Sequence, residues 1–145
     1  MNESCPMPLP KGTSEQEIIA RLVKAKRIAV VGLSGNSSRM SHSVASYLQH
    51  AGKEIVPVNP NETEVLGAKC YPTLDDVEGP VDLVNVFRRS EFCAGVARQA
   101  VKMGAKGIWL QSGIVSREAR EIAEAAGLDY VENRCLMVEY RMSQR

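Results

Sequence analysis

The chain has 145 residues, 44% of them hydrophobic and 24% charged, with a formal net charge of +1. A single domain of about this length removes roughly 68–70% of its unfolded surface from water, so a core can form without metal or disulfide staples. Near-neutral charge excludes a bulk pull on nucleic acid or an anionic membrane, and any bound anion must be held by a local cluster.

In chain order, residues 1–12, with Pro6, Pro8 and Pro10, read as a flexible leader ahead of one domain over 13–145. Ser14 followed by Glu17 forms a capping-box pattern, and Ile18, Ile19, Leu22 and Val23 recur at helical spacing, predicting a first helix that ends near Ala25. Four continuous apolar runs come next: Ile28 to Leu33, Ile55 to Val58, Val81 to Phe87 and Ile108 to Leu110. Runs that are apolar on both faces suit buried parallel strands. Three helical stripes alternate with them, Val44, Ala45, Leu48 and Ala51, then Cys93, Val96, Ala97, Ala100 and Val101, then Ala119, Ile122, Ala123 and Ala126. Gly52, Gly104 and Gly127 fall just past these stripes, where a left-handed helix C-cap favours glycine. A weak strand near Cys70 and Tyr71 and a helical turn at Thr73 to Val77 fill the gap between the second and third runs. Leu128 to Glu132 makes the last strand, and Arg134 to Arg145 shows no assignable pattern. The alternation predicts an α/β fold: a doubly wound, mostly parallel Rossmann-like sheet of five to six strands, with helices on both faces and right-handed connections.

Four cysteines, Cys5, Cys70, Cys93 and Cys135, lie far apart, with no C-x-x-C pair and no histidine at metal spacing, which argues against zinc. No run approaches the ~20 apolar residues of a membrane span, and Met1 to Gly12 lacks the apolar stretch of a secretory signal. Free thiols in a reducing cytoplasm are the expectation.

In such a sheet the ligand crevice lies beyond the carboxyl ends of the strands, where strand order reverses. For a Rossmann-type order the reversal falls between the strand ending at Gly32 and the strand ending at Phe87. The first loop, Gly32 to Arg39, joins strand to helix, so its glycines permit a tight turn and unpaired helix-start N–H groups face an anion. Gly32, Ser34, Gly35, Asn36, Ser37 and Arg39 are the phosphate candidates there, with Ser38 as a further hydroxyl. The alternative is that the glycines serve the turn, the serines cap and Arg39 is solvated. The order strand, glycine turn, helix favours phosphate.

The spacing is not the dinucleotide fingerprint G-x-G-x-x-G, and the second strand ends in Val58-Asn-Pro-Asn61 rather than in the carboxylate that binds a ribose in NAD sites. Asn59 and Pro60 fit a ribose or base contact and ordinary turn chemistry equally well. Phe87 is followed by Arg88 and Arg89, whose guanidinium forks match phosphate geometry. Alternation sends the two side chains to opposite faces, and Arg88 is favoured as the one at the ligand. After the fourth strand, Gln111 offers a donor and acceptor and Gly113 a close backbone approach, while Trp109 reads as core.

Together Ile28-Ala-Val-Val-Gly-Leu-Ser34, Val56-Pro-Val-Asn-Pro60, Leu66-Gly67 with Tyr71-Pro72, Val84-Asn-Val-Phe-Arg-Arg89, Gly107-Ile-Trp-Leu-Gln-Ser-Gly113 and Asn133-Arg-Cys135 resemble a known family. It is that of the stand-alone CoA-binding domain proteins, similar to the CoA-binding domain of the succinyl-CoA synthetase alpha subunit. The resemblance runs from about Ala25 to Glu139, with Met40 departing from the proline that similar sequences often show. It implies that the loop after the first strand holds the phosphates of coenzyme A, that the Val-Asn-Pro turn lies along the adenosine, and that the Phe-Arg-Arg and Gln-x-Gly loops close the pocket. The synthetase also depends on a phosphorylated histidine in a second domain, and no such domain is expected here.

Chemistry is harder to find. His42 and His50 share one predicted helix, Asp75 and Asp76 sit at a helical start where carboxylates are ordinary, and Cys135 reads as a small buried thiol, with a mixed disulfide to the CoA thiol a minor option. No nucleophile, base and orienting group come together. The sequence therefore points to a protein that binds coenzyme A or an acyl-CoA without turnover, with no nucleic acid or membrane partner and with a protein partner or homo-oligomer left open. The alternative is an NAD(P)- or nucleotide-binding enzyme subunit whose catalytic groups come from a partner.

Overall fold

In a computed structural model, which describes residues 14–145, the elements run α1 (Glu15–Leu22), β1 (Arg27–Val31), α2 (Met40–His50), β2 (Glu54–Val58), β3 (Glu64–Val65), β4 (Ala68–Lys69), a 3-10 turn (Leu74–Asp76), β5 (Leu83–Val86), α3 (Ser90–Met103), β6 (Gly107–Leu110), α4 (Arg117–Ala125), β7 (Asp129–Val131) and α5 (Leu136–Ser143). The leader read over 1–12, and Cys5 within it, lie outside the described residues.

The capping box predicted at the start of α1 is formed: Ser14 Oγ accepts from the Glu17 N–H at 3.1 Å and Glu17 Oε1 accepts from the Ser14 N–H at 2.7 Å. Two helix-start donors are thereby satisfied reciprocally. Arg21 then clamps Asp129 of β7 with two bonds of 2.8 Å, Nε to Oδ2 and Nη2 to Oδ1, holding the helix across the sheet.

Five parallel strands form the main sheet in the order β2-β1-β5-β6-β7. The chain steps outward from β1 to β2 and then returns to lay β5 on the other side of β1, so the reversal lies between β1 and β5. The expected weak strand near Tyr71 is reduced to one parallel bridge, Val58 with Tyr71, outside β2. It is held by the Asn59 N–H to Tyr71 O at 2.9 Å and the Tyr71 N–H to Pro57 O at 3.0 Å.

Each strand of the main sheet is buried on both faces, as its continuous apolar pattern requires. Val84 and Val86 face a core shared with Cys93, Val96, Ala97 and Ala100 of α3 and Ala119 and Ala123 of α4. Ile28, Val30, Leu83 and Trp109 face a second core with Ile18, Ile19 and Leu22 of α1, Val44, Ala45 and Leu48 of α2, and Leu136 of α5. Trp109 is a core residue, its indole N–H donating to Arg134 O at 2.8 Å.

Two features depart from the sequence expectation. Residues 64–69 form a small antiparallel hairpin, β3 with β4, turning through Leu66 at φ 55° and Gly67 at φ 75°. Such a turn favours Asn-Gly or Asp-Gly, and a leucine in the left-handed region gives no sequence signal. Leu66 is held by packing against the core and by Gln49 Nε2, which donates to its carbonyl at 2.9 Å. The tail read as patternless carries α5, whose Tyr140 ring meets that of Tyr47 edge-on at 6.4 Å and lies under the Lys53 ammonium at 4.8 Å. Only Leu136 of α5 is fully buried, so no stripe announces the helix.

Candidate functional site

At the carboxyl end of β1 the backbone of Gly32 turns left-handed, with φ +88°, and its N–H donates to Val58 O at 2.8 Å. A Cβ at this position would lie 2.7 Å from the Phe87 carbonyl oxygen. Glycine is therefore required twice, by the turn and by the approach of the β5 end. The loop that follows is shaped from within. Ser34 N–H donates to Ser41 Oγ at 3.1 Å, Asn36 N–H to Ser34 Oγ at 3.0 Å, and Ser38 N–H and Oγ both to Asn36 Oδ1 at 2.9 and 2.8 Å. Arg39 stands at the N-cap of α2 without a side-chain cap bond, so the positive end of that helix abuts the loop.

The Gly35 N–H donates to Glu62 Oε2 at 3.0 Å, so a carboxylate from the segment after β2 rests on the loop. Nearby, Asn59 uses both ends of its amide: Nδ2 donates to Leu33 O at 3.0 Å and Oδ1 accepts from the Asn61 N–H at 2.9 Å. Of the two roles open to Asn59 from sequence, the turn is thus occupied by visible bonds. It ties the ends of β1 and β2 together.

Across the reversal, the Phe87 N–H donates to Val31 O at 2.8 Å. The Arg88 guanidinium carbon lies 4.1 Å from the centre of the Phe92 ring, a cation–π contact that leaves its N–H donors unspent. Arg89 is the N-cap of α3. Cys93, below them, donates weakly to the carbonyls of Arg88 and Arg89 at 3.7 and 3.6 Å, and burial pushes its thiol up to about 11 against the opposing charge of Arg88.

The β6 end is tied to the start of α5. Gln111 Oε1 accepts from the Leu136 N–H and from Asn85 Nδ2, each at 3.3 Å, and the Gly113 N–H donates to Asn133 Oδ1 at 2.7 Å. Asn85 is fully buried in the middle of β5, and its Oδ1 has no hydrogen-bond partner among the described residues. Its only sequence signal is a polar residue inside an apolar run.

Three adjoining clefts of about 350, 430 and 480 Å³ open along these strand ends. The first is lined by Asn59, Pro60, Thr73, Arg88 and Gln99, the second by Ser34, Arg39, Met40, Ser41 and Glu62, and the third by Met40, Gln111, Ile114, Cys135, Met137 and Val138. Phe87 borders all three; Gly32, Asn59 and Asn61 border the first two. Of the residues nominated from sequence, Gly32, Ser34, Arg39, Asn59, Pro60, Phe87, Arg88 and Gln111 are brought to this surface. Gly35, Asn36, Ser37 and Gly113 line none of the clefts: Gly35 holds Glu62, Asn36 shapes the loop, Ser37 is exposed beside it, and Gly113 docks on Asn133. Glu62 was not anticipated, because its partner is brought to it only by the pairing of β1 with β2.

Residues 26–141 match the family described as the CoA binding domain. The uncharacterized protein YneT of Bacillus subtilis is 42% identical over 131 residues, which cover 90% of this chain and 97% of that protein. A solved hypothetical protein from Pyrococcus horikoshii OT3 superposes with a TM-score of 0.86 at 36% identity, with 100% of each chain covered. The ADP-forming acetate–CoA ligase II of Archaeoglobus fulgidus is 30% identical over 101 residues, 68% of this chain but 15% of the ligase.

Proposed function

The chain belongs to the CoA-binding domain family, and from that premise we propose that it binds coenzyme A, free or acylated, and carries out no turnover of its own. The pyrophosphate would lie between the β1–α2 loop and Arg88, and the adenosine along the Asn59–Pro60 turn.

One observation carries this reading. Arg21, Arg27, Arg98, Arg117, Arg120 and Arg134 each pair with a carboxylate, whereas Arg39 and Arg88, the two that border the clefts, have none within 4.0 Å among the described residues, and neither do Arg89, Arg141 and Arg145 away from the clefts. A guanidinium fork kept clear of carboxylates at the mouth of a strand-end crevice is matched to phosphate oxygens. Ser34, Ser41 and the uncapped start of α2 add neutral donors beside them.

When bound, coenzyme A would supply a thiol or thioester; the residues here bind and orient it. Among the described residues no histidine lines the clefts, the one carboxylate is that of Glu62 and the one thiol is that of Cys135. A nucleophile paired with a base, the minimum for acyl transfer, is not assembled from them.

A second reading, an NAD(P)- or nucleotide-binding subunit that works with a partner, is favoured by Glu62, a carboxylate just beyond the β2 end where ribose-binding acids stand in NAD sites. Isothermal titration with both ligands separates the two. Coenzyme A should bind at least about tenfold more tightly than NAD, a preference of about 1.4 kcal/mol. Tighter binding of NAD would overturn the assignment.

A further inference from the structure

Resting on the CoA reading, we propose that the cleft beyond Phe87 receives the acyl group of an acyl-CoA, and that it selects neutral apolar acyl groups over those ending in a carboxylate.

This cleft, of about 480 Å³, is walled by Met40, Phe87, Ile114, Cys135, Met137 and Val138, with no charged side chain along it. Met40 and Phe87 also border the cleft of Ser34 and Arg39, so the two spaces adjoin at these side chains. A ligand whose phosphates rest on the β1–α2 loop therefore has an apolar path past Phe87. Met40 is 64% exposed and Val138 41% exposed at the rim, apolar surface that an acyl chain would cover. Methionine side chains adapt to chains of different length, and both Met40 and Met137 line the space.

The floor is specific about polarity. Gln111 is 97% buried, by its exposure of 3%, and its Oε1 is committed to the Leu136 N–H, which can only donate. That bond fixes the amide with Nε2 turned away from Leu136, and Nε2 makes no hydrogen bond among the described residues. Gln111 lines the cleft, so Nε2 is the amide donor that a ligand there would meet. With the hydroxyl of Ser112, also on the lining, it makes a neutral donor set on an otherwise apolar wall, which suits a thioester carbonyl. A terminal carboxylate would leave water for a space holding no cation, which is costly.

Titration of the 145-residue chain with free CoA, acetyl-CoA, butyryl-CoA, hexanoyl-CoA and succinyl-CoA tests this. Affinity should rise by about twofold to fourfold per added methylene until the cleft is filled. Succinyl-CoA should bind at least about tenfold more weakly than butyryl-CoA. Val138→Lys, on the exposed rim of α5, should narrow the gap between those two ligands. Peptide-level measurement of Cys135 alkylation gives a second readout, with butyryl-CoA protecting the thiol more than free CoA does. If free CoA binds while all acyl-CoAs bind within twofold of it, or succinyl-CoA binds most tightly, the acyl cleft is wrong and the CoA reading stands. If neither CoA nor any thioester binds, the CoA reading falls and takes the acyl cleft with it.

Discussion

Glu62 and Gly35 are joined by a hydrogen bond of 3.0 Å from the glycine N–H to the carboxylate, so the loop nominated for phosphate already holds an anionic group. An arriving phosphate must displace that carboxylate or share the loop with it. Glu62→Gln should therefore tighten CoA by about twofold to fivefold, the scale of exposed charge interactions. The gain should shrink at high salt, because screening weakens the repulsion that the substitution removes. Titration of both proteins at two ionic strengths checks it. A weaker mutant would mean that Glu62 contacts the ligand favourably, as a ribose-binding acid would.

Arg88 borders the first cleft while Arg89 is the N-cap of α3 and borders none. Arg88→Ala should weaken CoA by about tenfold to a hundredfold, the loss of a charge-assisted contact worth about 1.5–3 kcal/mol. Arg89→Ala should matter less. Thermal unfolding without ligand is the control, and a folded Arg88→Ala that binds like the parent would move the phosphate clamp elsewhere.

Most of this architecture was legible because it is local. Ile28 to Leu33 and Val81 to Phe87 read as buried strands from their own composition, and the rule that ligands bind where strand order reverses then nominated Gly32 and Phe87 together. The motifs pointed to the CoA-binding family over about Ala25 to Glu139, and the family match covers 26–141. What stayed hidden depends on distance in the chain. Glu62 meets Gly35 across 27 positions, and Gln111 meets Leu136 across 25. Asn85 was quoted as part of a motif, but its burial and its bond to Gln111 emerge only when β5 and β6 are paired. The hairpin at Leu66 and the helix α5 were missed because a left-handed leucine and an eight-residue helix with one fully buried side chain leave no periodic trace.

Gly32→Ala should unfold more easily than the parent. The left-handed backbone alone costs an alanine about 1–2 kcal/mol, and the added methyl would lie 2.7 Å from the Phe87 carbonyl oxygen, a backbone atom that cannot swing aside. Urea unfolding measures the loss. Gly67→Ala is the comparison, since its φ is +75° but a Cβ there meets nothing within 4 Å. Equal losses at the two positions would show that the Phe87 approach is looser than described.

At the opposite end of the sheet Asp82 directly precedes β5. Its Oδ2 accepts from the Arg27 N–H at 3.0 Å and the Lys26 N–H at 3.1 Å, and Lys106 Nζ lies 3.5 Å from Oδ1. The Arg27 N–H is the main influence, with the Lys26 N–H and Lys106 behind it, and they hold the carboxyl below its usual range despite partial burial. A carboxylate depressed on folding contributes stability that is fully present above its unfolded pKa of about 3.9, and that is lost as pH falls through the lower folded value. Asp82→Asn should accordingly cost about 1.5 kcal/mol at neutral pH, the low end for hydrogen bonds to a charged group because the carboxylate keeps some contact with water. Between about pH 4 and the folded pKa the parent loses that advantage while the variant has none to lose, so the gap should close. Urea unfolding of the two proteins at pH 7, 5 and 3 reads it directly. Equal stability at pH 7, or a gap of unchanged size at pH 3, would show that the charge on Asp82 does not help to fasten β1 to β5.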